Sequence, residues 1–284
     1  MLSELYGEID SSDIRHNVAV VLLARAMAKV IINIDEEFPT LRHAPSVEAV
    51  IDIRVSPANP PNEESLRGYI QSKFIDYQFL DSQNEFQVQF EVGQVINKPP
   101  NQTVGRKGLR FKSKDQPYIA QFNRDGFVLS RLKPYQSWFQ LQTEAMRLLI
   151  GYAEFVKPLQ IFRIGLRYIN QIQMPADELK FEDYLEVAPS TPNGLGLPIA
   201  GFLHQDNVVV PEYPYYAVNI IKTLQPPNPS TKTNYALILD IDVVTTQPFD
   251  YDETRLENHL AEMRWLKNKV FFGVIKEKSL EMFR

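Results

Sequence analysis

The chain has no cysteine among its 284 residues. That excludes disulfides, thiolate nucleophiles and cysteine-ligated zinc. Histidine is almost as scarce. His16, His43, His204 and His259 stand far apart, without the short spacings that bring two imidazoles to one metal. No serine lies in the G-x-S-x-G setting of a hydrolase elbow, and no glycine loop offers a cradle for phosphates. Nor is there a basic excess. The formal net charge is -5 and the pI about 5.5, whereas proteins that grip nucleic acid through its phosphates are usually basic. Long apolar runs are missing too. Residues 18–23 are apolar but sit between Asp13, Arg15 and Arg25, far short of the ~20 residues that span a bilayer. No signal peptide stands out. Together these absences predict a soluble protein of the cytoplasm.

What is present is material for a core. Hydrophobic residues make up 44% of the chain and charged residues 23%, enough for one large α+β domain or two packed halves. The clearest pattern is Ile161–Asn170. Read as a strand, it puts Phe162, Ile164, Leu166 and Tyr168 on one face and Arg163, Gly165 and Arg167 on the other. The glycine leaves a slot between two guanidinium groups. Residues 46–55 form a second strand, with Val47, Ala49, Ile51, Ile53 and Val55 inward, and Pro57, Pro60 and Pro61 stop it.

Other elements follow in order. Asn62 caps a helix of about 63–74, a strand covers about 85–96, and 97–108 reads as a polar loop. Two apolar runs, 118–122 and 127–132, joined by Asn123–Gly126, make a hairpin. Ser137, with Gln140 three residues on, opens the longest helix, to about Val156. Residues 235–244 are another strand, and Asp250 or Asp252 caps a helix of about 253–269. Residues 270–275 then form a separate apolar element.

Strands separated by single helices predict an α+β fold, mostly antiparallel, with helices on one face. Ala49–Val55 is echoed by Leu237–Val243. The echo suits two related strand–helix halves, 35–174 and 175–284, as in a ferredoxin-like or TBP-like duplication. Residues 1–34 read as a helical extension, with a helix over 13–29, before a single domain of 35–284.

The candidate site residues carry competing explanations. Arg163 and Arg167 have the fork geometry that binds carboxylate or phosphate. The commoner use of such residues is pairing across strands, here with Glu48, Asp52, Asp240 and Asp242. Asp240 and Asp242 share one face and could hold Mg²⁺ with Asp52 or Glu48, but nothing in the sequence demonstrates convergent ligands, so neither a metal nor a cofactor is expected. His204 is the one histidine placed as an acid or base, beside Arg163, Arg167 or Tyr168. Arg106, Lys107, Arg110, Lys112 and Lys114, interleaved with Phe111, form the one basic run able to meet nucleic acid or an acidic protein. A solvated edge strand, guarded by lysines against aggregation, is the commoner explanation of such a run.

Four stretches carry a resemblance: Ala44–Arg54, Gln121–Leu132, Arg163–Asn170, and Leu266–Gly273 leading into Glu277–Phe283. The chain resembles a sporadically distributed family of bacterial and archaeal proteins of similar length, known mainly as uncharacterised. The match covers about 40–284 in order. It implies no accepted activity, cofactor or catalytic residue. The family's patchy distribution is similar to that of genes in mobile or defence-related islands.

With no catalytic constellation complete, the leading expectation is a binding or assembly module for a protein or nucleic-acid partner, with a homodimer also open. The alternative is an enzyme cleaving phosphodiesters in nucleic acid or nucleotides. It would use Arg163 and Arg167 with His204 or the Asp240/Asp242 pair. Geometry discriminates: arginines saturated by Asp52 and Asp240 count against the enzyme.

Overall fold

The computed structural model describes residues 29–58, 61–88, 102–175, 179–191, 196–226 and 234–284, apart from the side chains of 84–88 and 102–107. The architecture is α+β. One antiparallel sheet carries strands β1 (Ser46–Pro57), β2 (Tyr77–Val88), β3 (Gln102–Ser113), β4 (Tyr118–Asn123), β5 (Gly126–Leu132), β6 (Pro158–Pro175), β7 (Leu203–Val209), β8 (Tyr216–Gln225), β9 (Asn234–Thr245) and β10 (Phe249–Asp250). Their order is β2-β3-β4-β5-β1-β6-β9-β8-β7, with β10 on β6. The helices are α1 (Glu63–Lys73), α2 (Trp138–Val156), α3 (Phe181–Tyr184), α4 (Glu253–Val274) and α5 (Glu277–Glu281). Among the described residues no helix is long and apolar enough to cross a membrane.

Alternation decides the layering. Ala49, Ile51 and Ile53 of β1, Ile164 and Leu166 of β6, and Leu237, Leu239, Ile241 and Val243 of β9 are wholly buried on one side. The apolar stripes of α1, α2 and α4 cover that side, and all belong to one continuous cluster. Each such valine, leucine or isoleucine contributes about 1.5–3 kcal/mol through burial. The other side of the sheet carries no helix among the described residues.

Local chemistry sets the ends. The Asn62 side chain accepts from the amides of Glu64 and Ser65, that of Ser137 from Gln140, and that of Asp252 from Arg255. Asp252, not Asp250, is therefore the cap of α4. The helix runs on through 270–274, so the apolar segment expected after it is its own last turns. Residues 102–108, read above as loop, belong to β3. Close approach demands glycine at three described positions, Gly108, Gly126 and Gly151. A Cβ on Gly126 would lie 2.3 Å from the Ile53 carbonyl oxygen, and one on Gly151 2.4 Å from the Phe74 ring, where α1 meets α2.

The β6 pattern needs one correction. Arg54 faces Arg163 and Val55 faces Ile161, so Phe162 is the extra residue of a β-bulge. It points away from the core and is 51% exposed, while Ile161 takes the inward position.

The duplication suggested by the sequence echo is not confirmed by the sheet. β6, which falls almost wholly in the 35–174 half, pairs with β1 on one side and β9 on the other within one continuous sheet, so Ala49–Val55 and Leu237–Val243 flank the same strand. The helix expected over 13–29 lies outside the described residues, except for its last position. Residues 29–45 run as an extended strap across α4. There Phe38 stacks on Phe272 at 5.5 Å, and Glu36 accepts from Trp265 Nε1 at 2.7 Å.

Candidate functional site

The helix-free side of the sheet gathers the arginines and aspartates. Asp52 on β1 stands opposite Gly165, and Arg167 stands opposite Asp242 on β9. Each arginine then leans diagonally. Arg163 Nη1 donates to Asp52 Oδ2 at 2.9 Å and Nη2 to Asp242 Oδ2 at 3.3 Å. Arg167 Nε donates to Asp240 Oδ1 at 2.9 Å, and its Nη2 makes a second bond to Oδ2. Arg54 joins the chain of charges, 3.0 Å from Asp52 and 3.3 Å from Asp125.

The slot over Gly165 is filled from within. A Cβ there would meet the Arg163 guanidinium at 3.1 Å, because that side chain folds across the glycine to reach its acids. The hydrogen bonds of Asp240 hold the Arg167 guanidinium above its ordinary range. Burial pushes the Asp242 carboxyl up, against the pull of Arg163 and Arg167.

Arg163, Arg167, Asp240 and Asp242 therefore meet, and neutralise one another. His204 does not join them. It lies on edge strand β7, on the helix side, with Nε2 3.1 Å from Asp206, whose other oxygen is 3.3 Å from the buried Lys222. Among the described residues no three metal-ligating side chains converge. In the basic run, Arg110 is clamped by Asp81, with Nε to Oδ1 at 2.6 Å, and Lys112 is exposed. Arg106 and Lys107 lie on β3, with side chains outside the described set.

Two polar clusters on α4 were missed. Near its N-terminal end the Tyr216 hydroxyl bonds His259 Nδ1 at 2.6 Å and donates to Glu262. His259 and Glu262 border a cavity of about 340 Å³ with Tyr215 and Arg255. Burial lowers the His259 imidazole from its ordinary range.

Further along, Lys267 and Arg264 line a groove of about 550 Å³ beneath the strap. Lys267 Nζ stands 4.1 Å over the Tyr168 ring, and the Tyr168 and Tyr135 hydroxyls are 2.9 Å apart. Neither cation has a carboxylate partner among the described residues. Burial, with Arg264 nearby, brings the Lys267 amine down to about 7. A signal was there to read: Leu256, Leu260 and Met263 set an inward stripe whose next position is Lys267.

No family model matches the chain, and no curated protein matches it. Its function is argued from this geometry.

Proposed function

We propose that the chain is a non-catalytic binding module of the cytoplasm that receives a protein partner on the helix-free side of its sheet. The observation that carries this reading is the ion pairing of Arg163 and Arg167 with Asp52, Asp240 and Asp242. Guanidiniums so paired already have carboxylate counter-charges, which weakens their pull on a phosphate, and His204 lies on the other side of the sheet. Val50, Ile119, Ile169, Ile221, Ile238 and Val244 lie half-buried among the paired charges. A sheet face of apolar residues and internally matched charges suits a protein surface better than a polyanion. A place in a mobile or defence-related system rests on the family resemblance alone.

The test is affinity capture from nuclease-treated native lysate, comparing wild type with Ile169→Glu/Ile221→Glu. A protein retained by wild type and lost from the face variant, then rebound as a purified component, supports the module. Capture that disappears with nuclease points to nucleic acid and overturns the protein reading. Phosphodiester cleavage by purified wild type, abolished in Arg163→Ala/Arg167→Ala, would return the enzyme.

A further inference from the structure

We infer that the groove between the 34–46 strap, the start of α2 and the C-terminal half of α4 is a binding site for the phosphate group of a small ligand. Lys267 and Arg264 would hold it, with the Tyr135 hydroxyl. This is a site on the helix side, separate from the sheet face discussed above.

Pairing separates these cations from those of the sheet face. The arginines of the sheet face have carboxylates built beside them. Lys267 and Arg264 do not, although they lie one helical turn apart and line one groove. Lys267 is half-buried over Tyr168, and Arg264 stands at the surface, its guanidinium 5.9 Å over the Trp138 ring. Keeping a half-buried ammonium without a counter-charge is costly, and an anion entering the groove would remove that cost.

The remaining donors favour a tetrahedral anion. Tyr135 brings a hydroxyl from the loop before α2. Ser137 and Trp138, also lining the groove, begin a helix with no acid in its first turn, so its positive end is not offset locally. Donors arriving from α4, from the loop and from the helix start surround a phosphate better than they fit the planar fork of a carboxylate. A volume of about 550 Å³ is of metabolite size.

The charged groups facing Lys267 are few. Arg264 lies on its own helix, and the Tyr135 and Tyr168 hydroxyls are neutral because burial raises both. On the strap, Glu36 is committed to Trp265 and Lys269. Asp35 and Glu37 are exposed at the rim, where solvent screens them.

The experiment titrates intact protein with sodium sulfate at fixed ionic strength, reading tryptophan fluorescence. Trp138 lines the groove, and the chain has only 2 tryptophans. Sulfate keeps its charge across the range, so any pH effect belongs to the protein. Saturable binding is expected, competed by glycerol 3-phosphate. Arg264→Gln, a surface change that spares the fold, should weaken it about tenfold. Lys267→Met should weaken it by a similar factor, Lys267→Arg should restore most of the loss, and raising the pH from 6.5 to 8.5 should weaken wild type but not Lys267→Met. A linear response like that to chloride would overturn the assignment. So would saturable binding unchanged in both Arg264→Gln and Lys267→Met.

Discussion

The two sets of cations in this molecule have opposite fates. On the helix-free side of the sheet, Arg54, Arg163 and Arg167 sit among Asp52, Asp125, Asp240 and Asp242, and every guanidinium is held. In the strap groove, Lys267 and Arg264 form no ion pair among the described residues; of the acids lining the groove, Glu36 is held by Lys269 and Trp265, and Asp35 and Glu37 are exposed at the rim. The difference lies in how the groups are brought together. Strand neighbours are fixed by register, so charges of opposite sign on one face find each other across a few ångströms. The groove is assembled from elements far apart in sequence, and nothing local supplies the counter-charge. A cation in a patterned strand is therefore poor evidence for a ligand. A cation at an inward helical position, without an acid nearby, is better evidence.

Removing a partner from the matched set should have the largest effect. Arg167→Leu leaves Asp240, only 7% exposed, as a nearly buried carboxylate without its fork, and should cost about 2–3 kcal/mol in urea unfolding. Arg167→Leu/Asp240→Leu should recover much of that. If the single change costs nothing, the pair is solvated and the contrast with the groove collapses.

The unmatched set gives the next effect, through pH. The Lys267 amine titrates near 7 in the folded chain and near ~10.4 when unfolded. Between those values the unfolded chain binds more protons, so stability rises with pH. Wild type should gain about 1 kcal/mol over Lys267→Met between pH 7 and 9, less than the full shift implies because the groove is open to water. Parallel pH profiles would mean that the amine has an unseen partner.

Gly165→Ala is smaller still. The new methyl presses on the guanidinium of Arg163, and should cost about 1 kcal/mol while leaving the sheet intact. Last comes Glu36→Gln, read by hydrogen exchange of residues 30–45. Lys269 and Trp265 hold the Glu36 carboxyl below its ordinary range, so its contribution is present at neutral pH and lost as pH falls through that depressed value. The variant should show faster strap exchange at pH 7, and a smaller change on acidification than wild type.

The strands and caps were legible because they depend on near neighbours. Alternation placed Ile51, Ile53, Leu166 and Tyr168 inward, and Asn62 and Ser137 marked helix starts through bonds two or three residues long. Phe162 misled because a bulge depends on the partner strand, and the partner is not written in the local pattern. The acids around Arg163 and Arg167 could be named beforehand as rivals for the guanidiniums, but the pairing itself required the register of β1, β6 and β9. Lys267 was not singled out, and His259 was set aside as isolated, because their companions lie on other elements. Tyr168 is about a hundred residues from Lys267 along the chain, and Tyr216 is 43 residues from His259.

The strap has a consequence for how the chain is made. Glu36 finds Trp265 across 229 residues of sequence, and the His43 amide donates to the Phe283 carbonyl at 3.0 Å. A ribosome adding ~5–20 residues per second leaves the strap waiting roughly 10–45 s for its anchor. By then β1–β5 with α1 and α2 have all their sequence and can already pair. Residues 29–45 are thus slow to lock fully, and a chain cut short before α4 keeps its first sheet strands and the Ile32–Tyr213 bond but loses the strap's contacts with Trp265, Phe272 and Phe283.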